Sequence, residues 1–310
     1  MEPNSRDRRE EGEDLLELKH PLLEVYGFPI DNFSEKAVQY RQNRLCPYNN
    51  KVPNCTKDKA NNPLGVCSIQ EGINTAIICP IRFRQDWMVT IDAASFFFPP
   101  GTKWTTLTEA RLNDKNGRTA GNIDIVVVAY DDYGKITDFG ALEIQAVYIS
   151  GNIRRPFEAY IQDPEKTYNM DWTGKPNYPR PDYLSSSRKR LVPQLIYKGK
   201  ILNAWNKKIA VALHSGFFST LPQLPEVPPD KAEMAWLIYD LELQRESNCY
   251  NLVHSDTIYT LFQKSLDRIV TPEPGLVDDF IEVLQDKLDK KLEKMEVNDD
   301  DINKTIDRLL

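Results

Sequence analysis

The sequence is poor in histidine and lacks the short motifs that mark several common kinds of active site. Its three histidines, His20, His214 and His254, are isolated from one another, so a histidine-rich metal centre is poorly supported. It has no glycine-rich phosphate loop, and no local signature accompanies a serine or cysteine nucleophile. No apolar run approaches the length of a membrane span, and the first residues form no apolar signal region. We therefore expect a protein of the cytoplasm.

A pair of extended segments in the middle of the chain carries the most informative polar residues. A β-branched run follows Asp124, and after a predicted turn at residues 131–134 a second extended segment contains Glu143 and Gln145. In such a hairpin Asp124 opposes Glu143 directly or diagonally, with Cβ atoms roughly 4.5 to 8 Å apart, which lets two carboxylates share one Mg²⁺. Because strand side chains alternate, Gln145 reaches the same face as Glu143.

Glu109 precedes the hairpin on a predicted helix over residues 105–111 and could supply a third carboxylate. Ordinary structural roles are the alternative for two of these residues: Asp124 as a strand cap, and Glu109 as the partner of Thr106 in a capping box. Glu143 is harder to explain structurally, because it interrupts an apolar strand in which an unpaired buried charge is costly.

Four of the five cysteines, Cys46, Cys55, Cys67 and Cys79, lie close together in sequence. A disulfide framework is not expected in a reducing compartment, and four thiolates suit one tetrahedral Zn²⁺ or iron ion. The polar, turn-rich sequence between them would not pack a core unaided, a role that a metal could fill. Because no Cys-x-x-Cys pair is present, four buried free cysteines are the alternative. The fifth, Cys249, is predicted to be an ordinary thiol.

The net charge of −7 is unevenly distributed. Residues 1–24 carry four basic and eight acidic groups, and residues 273–310 carry six and twelve. Residues 151–210, in contrast, have twelve basic and five acidic residues. Such a segment can neutralise phosphates and release counterions, which is the main source of nonspecific DNA affinity.

The basic segment supplies candidate DNA contacts that alternate with aromatic residues. Arginine fits the O6 and N7 atoms of guanine in the major groove, so a GC-rich target would suit this segment. A solvated basic surface with the aromatics in the core is the alternative. The candidate DNA-binding residues are Arg154, Arg155, Arg180, Arg188, Lys189 and Arg190.

The acidic residue, spacer and polar residue at positions 143–145, preceded by Asp124, resemble the PD-(D/E)xK nuclease core. Isoleucine stands at position 123, where the family name has proline, and Gln145 stands where it has lysine. The glutamine, Glu109 fifteen residues before Asp124, and the four cysteines resemble NotI-type restriction endonucleases, from about Leu23 to Tyr148.

The resemblance implies that Asp124 and Glu143 bind catalytic Mg²⁺ and that Gln145 positions the nucleophile. Glu109 would hold a second ion or orient the water, and the cysteines would hold a structural iron ion, with zinc as the alternative. The implied enzyme is a homodimeric type II restriction endonuclease that cuts double-stranded DNA at a GC-rich palindrome containing GGCC, resembling CGGCCG, and leaves 5′ overhangs.

The expected fold is α/β (α+β), a mixed central sheet flanked by helices with a small N-terminal cysteine-metal module. Residues 1–90 would form the N-terminal arm and metal module, and residues 91–310 the nuclease core. Within that core, residues 151–210 form the basic segment, residues 256–268 a helix, and residues from Val277 to Met295 a long amphipathic helix. A repair or phage nuclease with the same core, and a noncatalytic DNA-binding protein stapled by metal, remain alternatives.

Overall fold

The computed structural model describes residues 19–59, 61–72 and 74–306, with side chains described through Lys294. Up to residue 18, the predicted N-terminal arm lies outside the described residues. The strands, numbered in chain order, are β1 Leu22–Val25, β2 Phe28–Pro29, β3 Asp58–Lys59, β4 Asn62–Pro63, β5 Val66–Glu71, β6 Asn74–Ile77, β7 Trp104–Asn113, β8 Thr119–Tyr130, β9 Ile136–Gln145, β10 Tyr148–Ser150, β11 Arg180–Asp182, β12 Ile209–His214, β13 Met234–Gln244 and β14 Cys249–Thr260. The α-helices are α1 Glu35–Gln42, α2 Met88–Phe97, α3 Arg154–Gln162, α4 Pro164–Thr167, α5 Tyr183–Ser186, α6 Val192–Gln194, α7 Lys200–Ala204, α8 Ser215–Phe218, α9 Phe262–Val270 and α10 Val277–Ile306. Short 3-10 segments lie at Pro80–Trp87 and Pro229–Lys231.

Six strands form one mixed sheet in the order β14, β13, β12, β9, β8, β7. Strands β7, β8 and β9 are antiparallel neighbours, β12 lies parallel to both β9 and β13, and β14 pairs antiparallel with β13. Strand β12 is buried along its whole length, as expected for a strand with parallel neighbours on both sides. The structure confirms the predicted mixed central sheet, and helices lie against both of its faces.

Different helices cover the two faces of this sheet. On one face, Ile144 of β9 clusters with Phe97 of α2. On the other, Val211 of β12 clusters with Leu195, which belongs to a helical run over residues 183–204. Because side chains alternate along a strand, Glu143 and Gln145, on either side of Ile144, face the helical run over residues 183–204.

The helical run over residues 183–204, which we call the bulged helix, consists of α5, α6 and α7 joined by two π-turns. These lie at Ser187–Leu191 and Leu195–Gly199. In each π-turn a backbone N–H donates to the carbonyl five residues earlier, from Val192 to Ser187 and from Lys200 to Leu195. Single π-turns inside α-helices are rare and often occur at functional sites.

A smaller sheet of strands β2, β1, β5 and β6 forms the N-terminal part of the described chain. Glu24 of β1 forms a fully buried ion pair with Arg82 of the 3-10 segment Pro80–Trp87, whose Nε atom lies 3.1 Å from Oε2 of Glu24. Ser68 donates a further hydrogen bond of 2.7 Å to the same carboxylate. The buried charges are thus paired and hydrogen-bonded, as burial of charge requires.

The chain divides into two compact units, one ending at Val270 and the other beginning at Thr271. The second unit contains α10, which confirms the predicted long helix. Its apolar residues recur at steps of three and four and are exposed, at Val277, Phe280, Ile281, Leu284, Leu288 and Leu292. Throughout the part of the chain that the structure describes, no helix has the length and apolar character needed to cross a membrane.

Two of the predicted helices are wrong over all or part of their length. Residues 105–111 lie in β7, because three threonines in this stretch are β-branched and favour extended backbone over a helix. Residues 256–260 lie in β14, where they pair with β13, and α9 begins only at Phe262.

Candidate active site

The hairpin of β8 and β9 brings Asp124 and Glu143 together. The pair Ile125 and Leu142 fixes a register in which the two acidic residues oppose each other directly. The predicted turn over residues 131–134 closes the hairpin, with Asp131 accepting from the backbone of the turn. The predicted hairpin and the opposition of its two carboxylates are confirmed.

Glu143 is a buried carboxyl with an unusual proton affinity. Its pKa is raised to about 8, chiefly by burial and also by repulsion from Asp124, while the nearby ammonium of Lys198 works in the opposite direction. Asp124 is only partly buried, and its Oδ2 atom accepts a 2.9 Å hydrogen bond from the backbone N–H of Ile144. The neighbouring strand thereby holds the Asp124 carboxylate beside Glu143.

Two side chains of the bulged helix contact this face of β9. The Nζ atom of Lys198 lies 2.6 Å from Oε2 of Glu143 and 2.8 Å from the carbonyl oxygen of Asn122. The Nε2 atom of Gln145 donates a 2.6 Å hydrogen bond to Oε1 of Gln194. Glu143 and Gln145 are therefore both held by the helix that covers them.

The other terminal atom of each held side chain, an oxygen in both cases, has no such partner. Oε1 of Glu143 and Oε1 of Gln145 are buried and find no hydrogen-bond partner among the described residues. A buried acceptor without a donor is costly, so this pair of oxygens suits a cation or an ordered water. Mg²⁺ prefers oxygen ligands and is commonly held by one or two carboxylates, so Asp124, Glu143 and the Gln145 amide fit this ion.

Glu109 lies opposite Asp124 on β7, between the pairs Thr108 with Ile125 and Ala110 with Ile123. Its backbone φ of 58° is unusual for a non-glycine residue, and such strain often accompanies functional sites. However, its side chain is 69% exposed and forms a 3.3 Å ion pair with Lys51. Glu109 is thus adjacent to the carboxylate pair in strand register, but its own carboxylate pairs with Lys51.

The four clustered cysteines share one region of the first unit. Burial raises the pKa of Cys46 to about 11 and also raises those of Cys55 and Cys67, and each of these thiols is close enough to Cys79 to be raised by its charge. Within the residues that the structure describes, no group of three or more His, Cys, Asp or Glu side chains is arranged to hold a metal ion. The structural iron or zinc ion therefore receives no support from this geometry.

The candidate DNA-binding residues fall into two groups. In the first group, Arg154 forms an ion pair with Asp58 and Arg180 lies 3.5 Å from Glu71. The exposed Arg155, also in this group, lies over the ring of Trp172. Residues 188–190 are exposed, basic and consecutive on the bulged helix. Among the described residues, the second group forms no ion pair, so its charge is the more available to a ligand.

The aromatic residues of the basic segment divide between core and surface. The sequence alternative placed them in the core, and three of them, Phe157, Tyr160 and Trp172, are buried there. Tyr178 and Tyr183 are partly buried.

Sequence reasoning missed Lys198 and Gln194. Their contacts with β9 span 55 and 49 residues of sequence, so no local pattern indicates them. One signal was available: Lys198 belongs to an amphipathic segment in which Leu195 and Leu202 mark the buried side. A lysine on such a side requires a buried acceptor.

Fold and site together fit one class of protein, a nuclease with a PD-(D/E)xK core. Residues 31–252 match the family model described as Restriction endonuclease NotI. This match covers most of the chain, which therefore belongs to the NotI restriction endonuclease family and is a site-specific deoxyribonuclease that binds DNA. The family resemblance noted in the sequence is thereby confirmed. No curated protein matches the chain.

Proposed function

We propose that this type II restriction endonuclease uses Asp124 and Glu143 to hold Mg²⁺ and cuts both DNA strands at a GC-rich palindrome. The observation that carries the proposal is the pair of buried, unpartnered oxygens, Glu143 Oε1 and Gln145 Oε1, beside Asp124. A carboxylate pair with adjacent free acceptors is what a hard cation requires.

Each residue of the site has a distinct proposed role. Asp124 and Glu143 hold the ion, which supplies positive charge that lowers the pKa of water and screens the phosphate during in-line displacement. Gln145 orients the attacking water through its uncharged amide, which cannot act as an ammonium does. Glu109 would join the site only by releasing Lys51, and it would then hold a second ion or orient the water.

The mode of DNA recognition is also part of the proposal. A two-fold homodimer presents the same surface to both half-sites, so the target is a palindrome and each subunit cuts one strand. The exposed arginines at 188 and 190 suit guanine, in keeping with a site containing GGCC, such as CGGCCG, and 5′ overhangs.

The division into a cysteine module over residues 1–90 and a nuclease core over residues 91–310 is part of the same proposal.

Plasmid digestion tests the cleavage proposal directly. Purified protein with Mg²⁺ should give discrete bands, and sequencing their ends should reveal one GC-rich palindrome and 5′ overhangs. Glu143→Ala should abolish cleavage and retain DNA binding, whereas Glu242→Ala, which removes an exposed strand carboxylate, should cut normally. A smear, end trimming, or full activity in the Glu143 variant would contradict the proposal.

A structural metal at the four cysteines would require an arrangement of the thiols that the described residues do not show. Elemental analysis and the visible spectrum of purified protein test it. One tetrahedral thiolate-bound ion per chain would support the iron or zinc prediction, and fully folded metal-free protein would reject it.

A further inference from the structure

The bulged helix contacts two residues of strand β9 through side chains that lie one helical turn apart. Gln194 and Lys198 are four residues apart on the helix, with the π-turn at Leu195–Gly199 between them, and Gln145 and Glu143 are two apart on β9, roughly 6.7 Å. Both side chains therefore reach β9 from one turn of the helix. The helix can contact both polar side chains at once.

The Lys198 contact is buried almost completely. Its side chain is 5% exposed and that of Glu143 is 4% exposed. Lysine is rarely buried to this extent unless it is paired, because its ammonium loses its hydration. A buried pair seldom stabilises a fold more than well-packed apolar residues would, so stability alone gives little reason for placing it here.

Both contacts have the same form. In Glu143, Lys198 engages Oε2 while Oε1 is without a described partner. In Gln145, Gln194 engages Nε2 while Oε1 is without a described partner. The helix thus fixes one terminal atom of each side chain and leaves the neighbouring oxygen available to a ligand.

We propose that Lys198 is a positioning residue for DNA cleavage, whose ammonium fixes Glu143 so that its free oxygen meets the catalytic cation. Gln194 positions Gln145 in the same way. This inference rests on the proposed metal-dependent cleavage. Gln145 carries no charge, so the positive charge beside Glu143 comes from Lys198 of the bulged helix, which lies 55 residues further along the sequence.

The test compares Lys198→Met and Lys198→Arg in the full chain, with Lys264→Met as a control on an exposed lysine of α9, outside the basic segment. Cleavage of saturating plasmid is measured across a Mg²⁺ titration, and DNA binding is measured in EDTA. We expect K198M to bind DNA like the wild type, to cut about 100-fold more slowly at saturating Mg²⁺, and to need about tenfold more Mg²⁺. K198R should recover part of the rate, and K264M should match the wild type.

A purely structural lysine predicts a different result. K198M would then have a lower melting temperature but wild-type cleavage and Mg²⁺ dependence per folded molecule, which would overturn the proposal. If K198M fails to fold, Gln194→Ala decides, because a wild-type rate there would show that the helix does not position the site, whereas a rate about tenfold lower with unchanged DNA binding would support it. Absence of cleavage by the wild-type protein would instead reject the proposed function itself.

Discussion

Proton release on Mg²⁺ binding is the most quantitative consequence of the site. Glu143 has a pKa of about 8 without metal, chiefly because it is buried, and a carboxyl must lose its proton before it binds a cation. The ionised fraction falls as pH drops through that value, from about one half at pH 8 to roughly one tenth at pH 7 and one hundredth at pH 6. Mg²⁺ affinity should therefore weaken about tenfold for each pH unit below 8 and level off above it.

Isothermal titration calorimetry of the protein with Mg²⁺ measures this effect. In two buffers with different ionisation enthalpies, the heats at pH 7 should differ by the amount expected for release of about 0.9 proton per ion. Glu143→Gln removes the titrating group and should bind Mg²⁺ weakly with little pH dependence. A wild-type affinity that stays constant between pH 6 and pH 9 would refute the assignment of Glu143 as a buried metal ligand.

Three further predictions concern stability, DNA binding and the third carboxylate. Arg82→Met leaves Glu24 buried without its partner and should lower the free energy of unfolding in urea by about 3 to 5 kcal/mol, and a loss below about 1 kcal/mol would contradict that view of the pair. Arg188→Ala should reduce the slope of log affinity against log salt by about 1, and Arg154→Ala by less because that side chain is ion-paired; equal reductions would contradict the distinction. Glu109→Gln removes an exposed ion pair and should change the free energy of unfolding by less than about 1 kcal/mol. A fall in the cleavage rate of this variant would therefore show that Glu109 takes part in cleavage, and an unchanged rate would exclude it.

The hairpin was predictable because its determinants are local. A β-branched run, a turn rich in aspartate and glycine, and a second extended segment together indicate two antiparallel strands. The strict alternation of strand side chains then assigns Glu143 and Gln145 to one face, and the turn sets Asp124 opposite Glu143.

The errors have equally specific causes. Thr106 and Glu109 match the capping-box spacing, but pairing with β8 and the β-branched threonines favour a strand. The partners of Lys198 and Gln194 could not be predicted, because these contacts depend on how the bulged helix packs on the sheet. That packing includes two π-turns that no sequence periodicity marks.

The same π-turns that belong to the contact with the active site also make the bulged helix irregular. A π-turn contains one residue more than an α-helical turn allows, and deleting that residue would give a more regular helix. The deletion would also rotate everything beyond it by about 100°, which would carry Lys198 away from Glu143 while Gln194 kept its place. The gain in helix regularity would therefore come at the expense of both the buried ion pair and the catalytic geometry.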